Sequence, residues 1–134
     1  MSSQQQVQNL LDFVDASPSP WHAVKSVETQ LLGFNFVKLN ETLQWDLQPG
    51  GRYYVVRDDS SIVMFVQGQK PLVETGFKII GAHTDSPGLR IKPNAATGMD
   101  GLLRLGVEIY GGPILATFTD RDLSLAGRIN YKDD

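Results

Sequence analysis

The stretch Phe77-Lys-Ile-Ile-Gly-Ala-His83-Thr-Asp85-Ser-Pro-Gly88 is the most informative in the chain. Phe77–Ala82 is short and apolar at its end, the pattern of a strand buried on both faces. His83 and Asp85 follow, two positions apart, just past that strand. In α/β sheets, ligands and catalytic groups gather at the carboxyl ends of strands, where the loops splay open. A histidine there can give one ring nitrogen to a metal while a nearby carboxylate hydrogen-bonds the other, fixing the tautomer and raising the basicity. Asp85 is placed to do this for His83. The spacing alone accommodates two other readings, a hydrogen-bonded structural histidine and an Asx-turn at Asp85.

Upstream of this stretch the pattern is helical. Ser3 followed by Gln6 fits a capping box, and Val7, Leu10, Leu11 and Val14 recur at helical spacing, which predicts a helix over residues 4 to about 15. Ser17-Pro18-Ser19-Pro20 ends it, because proline disfavours helix in the residue before it. Ser19 then caps a second helix with Pro20 at its first position. Its apolar face is Val24, Val27, Leu31 and Leu32, and Gly33 sits where a terminal glycine belongs. Short strands follow at Phe34–Leu39, Arg52–Arg57 and Ile62–Gln67, the last two joined as a hairpin through Asp58-Asp59-Ser60-Ser61.

Downstream, Leu89–Ile91 precedes a turn-rich stretch from Pro93 to Gly101. Strand-like segments return at Leu102–Tyr110, Ile114–Phe118 and Leu123–Tyr131. Helices first and strands after make the class mixed α/β, with a candidate boundary near residue 93. The last strand-like run is followed only by Lys132-Asp133-Asp134, the expected look of a chain that continues in a longer parent.

Composition narrows the function. The chain has 134 residues, 41% hydrophobic and 20% charged, which excludes wholesale disorder and suits one domain or one and part of another. A net charge of −3 argues against a broad nucleic-acid footprint. The absence of cysteine excludes disulfides, a thiol nucleophile and thiolate metal sites. The polar N-terminus lacks the plan of a signal peptide, and no apolar run approaches the roughly 18 residues of a membrane helix, so a cytoplasmic protein without membrane contact is expected. Only one other histidine exists, His22, and its place early in the second helix reads as a partly exposed helical residue. Asp120-Arg121-Asp122 fits a charged turn or interface pairing better than paired catalytic carboxylates, because the arginine separates the acids. No phosphate loop, Gly-x-Ser-x-Gly or His-Glu-x-x-His motif is present.

Four stretches in order go beyond spacing: Ser17-Pro-Ser-Pro-Trp-His-Ala-Val24, Gly81-Ala-His-Thr-Asp-Ser-Pro-Gly-Leu-Arg-Ile-Lys-Pro93, Val107-Glu-Ile-Tyr-Gly-Gly112 and Asp120-Arg-Asp-Leu-Ser-Leu-Ala-Gly-Arg128. Together they resemble the bacterial branch of the aspartyl aminopeptidase family of zinc metallopeptidases, from about Leu10 onward. The resemblance implies the N-terminal part of a zinc-exopeptidase-like mixed sheet with flanking helices over residues 1–92, and the start of a β-rich dimerisation insert over 93–134. It implies peptide substrates, dodecameric homo-oligomers and removal of N-terminal Asp or Glu by water held between two zinc ions, with cobalt or manganese as alternatives. By the same resemblance, His83 is the first metal ligand and Asp85 the catalytic-site residue that steers its imidazole. Relatives commonly carry tryptophan near the position of Phe118, a departure that bears on local packing.

The remaining ligands and the glutamate base of the family lie past the inserted domain, so the 134 residues alone are expected to be inactive. Two other readings compete. One is a non-enzymatic interaction or assembly module. The other is a single-metal hydrolase built on His83 with Asp85 and Asp100.

Overall fold

The computed structural model describes residues 2–132 and has two compact units. One comprises the residues up to Thr84 together with those from Ala126 onward; the other is Asp85–Leu125.

The first unit begins with α1 (Ser3–Asp15) and α2 (Pro20–Gly33). Ser2, one residue earlier than the capping-box reading, caps α1 by accepting the Gln5 amide at 3.2 Å. Ser19 caps α2 with Pro20 in its first turn, as read from the sequence. The positive φ after α2 falls at Asn35 (58°), not at Gly33, which is the last helical residue. A three-stranded sheet follows: β1 (Val37–Lys38), β2 (Arg52–Arg57) and β3 (Ser61–Val66), with β2 central, parallel to β1 and antiparallel to β3. The central strand has hydrogen-bonding partners on both sides, which is why Tyr53, Tyr54 and Val55 are the buried part of the sheet.

Val24 (1% exposed) and Leu31 supply the buried stripe of α2, and Leu32, expected on that face, is exposed. Lys38 donates to Glu28 at 2.7 Å, tying β1 to α2. Across the β2–β3 ladder Tyr53 pairs with Phe65, their rings 5.6 Å apart, and Trp45 stacks on Phe65 from the preceding loop. The helical periodicity of α1 is real, yet Val7, Leu10, Leu11 and Val14 all stay more than half exposed. Periodicity reports which face a helix offers; burial needs a surface to receive it.

Two strand expectations are corrected in this unit. Phe77–Ala82 adopts no regular secondary structure, and Ile80 is fully exposed. Leu123–Tyr131, which spans the two units, forms no strand either. Extended apolar sequence becomes strand only when another backbone satisfies its N–H and C=O groups, and neither segment joins a ladder with the strands of the described residues. Arg128 fastens its own end of the second segment instead. It donates to the Asp58 carbonyl and carboxylate, each at 3.0 Å, and its guanidinium lies 5.2 Å from the Trp21 ring. A single helical turn, α3 (Leu72–Thr75), follows Pro71.

The second unit is a hairpin, β4 (Gly88–Met99) and β5 (Leu102–Tyr110), followed by a 3₁₀ turn at Leu115–Phe118 where a strand was expected. The Thr117 amide and hydroxyl both bond the Ile114 carbonyl, closing that turn. The stretch Pro93–Gly101, read from the sequence as turn-rich, is mostly strand. Pairing slips between Ile91 and Ala96, where four residues of β4, Pro93 among them, face Gly106 alone. Proline has no N–H for the ladder, so it sits in the bulge. An added side chain at Gly106 would stand 3.5 Å from the Ala95 carbonyl, an ordinary contact, so the bulge does not require glycine there. Asp100 (φ 54°) and Gly101 (φ 76°) form the two-residue turn that reverses the chain, and positive φ at both centres is the type I′ hairpin geometry.

Val24→Ala is expected to destabilise the chain by about 2 kcal/mol, from lost transfer free energy plus a cavity. Leu10→Ala on the uncovered face of α1 changes stability by less than about 0.5 kcal/mol. Urea unfolding followed by tryptophan fluorescence checks both; equal losses would contradict this distribution of burial.

Candidate metal centre

His83 ends the exposed segment Phe77–Ala82 and is itself exposed, open to solvent and not enclosed in an apolar interior. Thr84 anchors the backbone beside it, its hydroxyl donating to the Ser60 carbonyl at 3.0 Å. The expected crevice at the end of a buried strand is therefore represented, in the first unit, by an irregular exposed segment fastened at Thr84.

Asp85 opens the second unit and is half-buried. Its carboxylate accepts a short hydrogen bond from the Tyr110 hydroxyl. The hairpin register explains the meeting. Gly88, three residues after Asp85, pairs with Tyr110, the last residue of β5. Arg90 pairs with Glu108, so it lies diagonal to Tyr110 on the same face, and its guanidinium carbon stands 3.4 Å from the Tyr110 ring centroid. Alternation puts Leu89, Ile91, Val107 and Ile109 on the opposite face. Spacing singled out Asp85 but not Tyr110, which lies 25 residues away in sequence. The signal that could have found it is the Asp100-Gly101 dipeptide, because a two-residue turn there sets the register that carries Tyr110 to Gly88.

The other candidates lie elsewhere. In His22, Nδ1 lies 2.7 Å from the Ser19 hydroxyl at the start of α2, a capping arrangement. Asp100 is in the hairpin turn, whereas Tyr110 and Asp85 sit at the other end of β5, roughly 25 Å away by strand rise. That separation removes the single-metal reading that drew Asp85 and Asp100 together. Asp120 (φ 54°) and Arg121 lie in exposed irregular chain, consistent with a charged turn.

Among the described residues no group of three or more His, Asp or Glu side chains is arranged to hold a metal ion. An exposed neutral imidazole is a suitable zinc donor, but a catalytic zinc takes three protein ligands and an open position. As an exposed imidazole, His83 has the chemistry of one such donor.

The electrostatics of the Asp85 pair are readable. The Asp85 carboxylate, by hydrogen bond and by charge, raises the Tyr110 phenol above its ordinary value of 10.0, and the Arg90 cation opposes it. Tyr54 is also raised, mainly by burial. Both are therefore expected to titrate above the ordinary value when followed by ¹³Cζ NMR, and Asp85→Asn should return Tyr110 alone toward the ordinary range. The folded state keeps the Tyr110 proton longer than the unfolded state does. The stability from this bond is therefore complete below about pH 10 and declines as pH rises through the raised value. Unchanged Tyr110 titration in Asp85→Asn would contradict the pairing.

With this geometry described, comparison with known proteins is direct. Residues 13–134 match the family described as aminopeptidase I zinc metalloprotease (M18). A protein of Ectopseudomonas mendocina described as "Probable M18 family aminopeptidase 2" is 51% identical over 128 residues, covering 96% of this chain and 30% of its own. A Pseudomonas aeruginosa protein of the same description is 48% identical over 125 residues, covering 93% of this chain and 29% of its own. Among solved structures, Ape4 in the cryo-EM structure of its complex with Nbr1 superposes with a TM-score of 0.81 at 44% identity, over 86% of this chain and 22% of that chain. Yeast aminopeptidase 1 superposes with the same score at 28% identity, over 90% and 29%. The S. cerevisiae mApe1 dodecamer scores 0.77 at 29% identity, over 86% and 27%. The chain thus spans about 30% of the length of the curated relatives it matches. A His-Thr-Asp motif with its histidine exposed, the mixed α/β fold and a family match over nine-tenths of the sequence lead to one conclusion: the chain belongs to the M18 family of zinc metalloproteases.

Proposed function

We propose that this chain forms the N-terminal portion of a metal-dependent aminopeptidase that removes Asp or Glu from peptide N-termini, with His83 donating to the first of two zinc ions. The observation that carries this reading is the solvent-exposed His83 inside the family-matched region. Bound zinc lowers the pKa of a coordinated water and polarises the scissile carbonyl. The chain's own residues do the rest of what is assigned here. His83 offers a neutral ring nitrogen. Asp85, two residues on, accepts a hydrogen bond from the other ring N–H and so selects the tautomer whose free nitrogen can bind the metal. Thr84, tied to Ser60, limits how far the motif can swing.

Residues 1–92 are assigned to the peptidase domain and 93–134 to the start of an inserted assembly domain. The bare apolar surface supports a role in assembly. Ile80, Ile79 and Val73 on one unit, and Leu103, Leu125 and Ile114 on the other, are each at least 70% exposed. A cytoplasmic homo-oligomer is the corresponding proposal; the mApe1 neighbour is itself a dodecamer. No helix among the described residues is long and apolar enough to cross a membrane.

A chimera tests the reading. The matched segment of the E. mendocina relative is replaced by this chain, and release of aspartate from an Asp-peptide is measured alongside zinc content. The chimera is expected to be active. His83→Ala should lose both bound zinc and activity, and Asp85→Asn should lose about 10- to 100-fold, as for other partners of metal-bound histidine. The unmodified 134-residue chain should release no aspartate, because one imidazole cannot hold two cations. Full zinc content and activity in the His83→Ala chimera would overturn the assignment.

A further inference from the structure

The chain leaves the first unit at Thr84 and re-enters it at Ala126, and both segments are tied to one feature of that unit, the turn joining β2 to β3. The Thr84 hydroxyl donates to the Ser60 carbonyl at 3.0 Å. Arg128, two residues into the return, donates from one guanidinium nitrogen to the carbonyl and the carboxylate of Asp58, each at 3.0 Å. The same nitrogen lies 3.7 Å from the Asp59 carboxylate. All of these residues belong to the first unit.

The turn needs such a tie. Asp58 (φ 50°) and Asp59 (φ 52°) both take left-handed backbone angles, closed by a 3.3 Å bond from the Ser60 amide to the Arg57 carbonyl. Residues with side chains adopt those angles at a cost, so contacts from outside the turn have to hold them. Adjacent carboxylates also repel one another, and one cation serving both weakens that repulsion. Arg128 does this from a fixed place. Its side chain is only 30% exposed, and its guanidinium stands 5.2 Å from the ring centre of Trp21, in the first turn of α2.

We propose that Arg128 is a positioning residue: by bracing the Asp58-Asp59 turn on Trp21, it fixes the Ser60 carbonyl that anchors Thr84, and so the place of the neighbouring His83. The proposal rests on the metal-donor role given to His83 above. It brings a residue 45 positions downstream of His83 into the apparatus that sets where the imidazole is offered. Arg128 acts only through the turn and Thr84. A purely structural role, holding down the return segment, would change stability and leave the backbone at His83 as well ordered as before.

The experiment reads His83 directly in the full 134-residue chain without metal. Relaxation of ¹⁵N gives the order parameter of its backbone amide, and urea unfolding followed by circular dichroism gives the stability of each variant. Thr84→Val should move the His83 order parameter from the rigid range, about 0.85, toward the flexible range below about 0.6. Thr84→Ser keeps the hydroxyl and should leave it unchanged. Arg128→Ala should lower it by a smaller amount, and Arg128→Lys, which keeps a donor for Asp58, should restore most of the loss. The double variant Thr84→Val/Arg128→Ala should be no less ordered at His83 than Thr84→Val alone, because both residues act through one tie.

A loss of order in Thr84→Val with none in Arg128→Ala overturns the proposal and leaves the Thr84 anchor standing. No loss in either overturns both. Should Arg128→Ala fail to fold, Arg128→Met keeps the side-chain stem against Trp21 and removes the donor. An unchanged His83 order parameter in that variant overturns the proposal, and a lowered one supports it. The zinc content of the His83→Ala chimera decides the donor role separately, so the two failures are distinct.

Discussion

Burial along α2 and β2 is the constraint on which the first unit depends. Val24 and Leu31 on the helix and Tyr53, Tyr54 and Val55 on the strand are its buried apolar positions, with Ala23 beside them. Each is buried for an identifiable reason. The helix starts where Ser19 caps it and Pro20 preorganises its first turn, which sets the face that Val24 and Leu31 share. The strand pairs along its whole length with β3 and, at Tyr53 and Tyr54, with β1. Polar ties then hold the periphery, with Glu28 to Lys38 and a two-point contact from Arg57 to Glu41. Exposed pairs of this kind contribute little to stability, so the burial carries the unit.

The second unit solves a different problem with little burial. Its β4–β5 ladder is kept in order by a type I′ turn at one end, a proline-containing bulge in the middle and the Tyr110–Asp85 bond at the other end. Each fixes register by a separate physical means: backbone dihedral, a missing donor and a charged acceptor. Register matters because a slip of one residue would move Arg90 and Tyr110 to the face now occupied by Leu89 and Ile109. The contact between Tyr110 and Asp85 would then be lost.

Much of the local structure was legible before any coordinates. The periods of α1 and α2, the cap of α2, the β2–β3 hairpin and the run of β5 follow from rules whose causes lie within a few residues of one another. As a mark of the family, the His83-Thr84-Asp85 motif was legible too. Phe77–Ala82 was not, although its sequence satisfies every local criterion for a buried strand. A strand is a relation between two backbones, and one backbone cannot state whether the other is present. The bulge at Pro93 was missed for a related reason: turn-forming residues mark irregularity, but only pairing with β5 shows that the irregularity interrupts a strand.

The amino-acid order by itself settled family, the start of α2 and the mixed α/β class, because these depend on residue type and short-range spacing. Tertiary structure alone decided that Asp85 meets Tyr110, whose ring lies under Arg90, that the apolar face of α1 lies open and that Phe77–Ala82 joins no ladder. Those outcomes depend on which distant surfaces come together, and hydrophobic or hydrogen-bonding capacity stays only a capacity until a second surface arrives to use it.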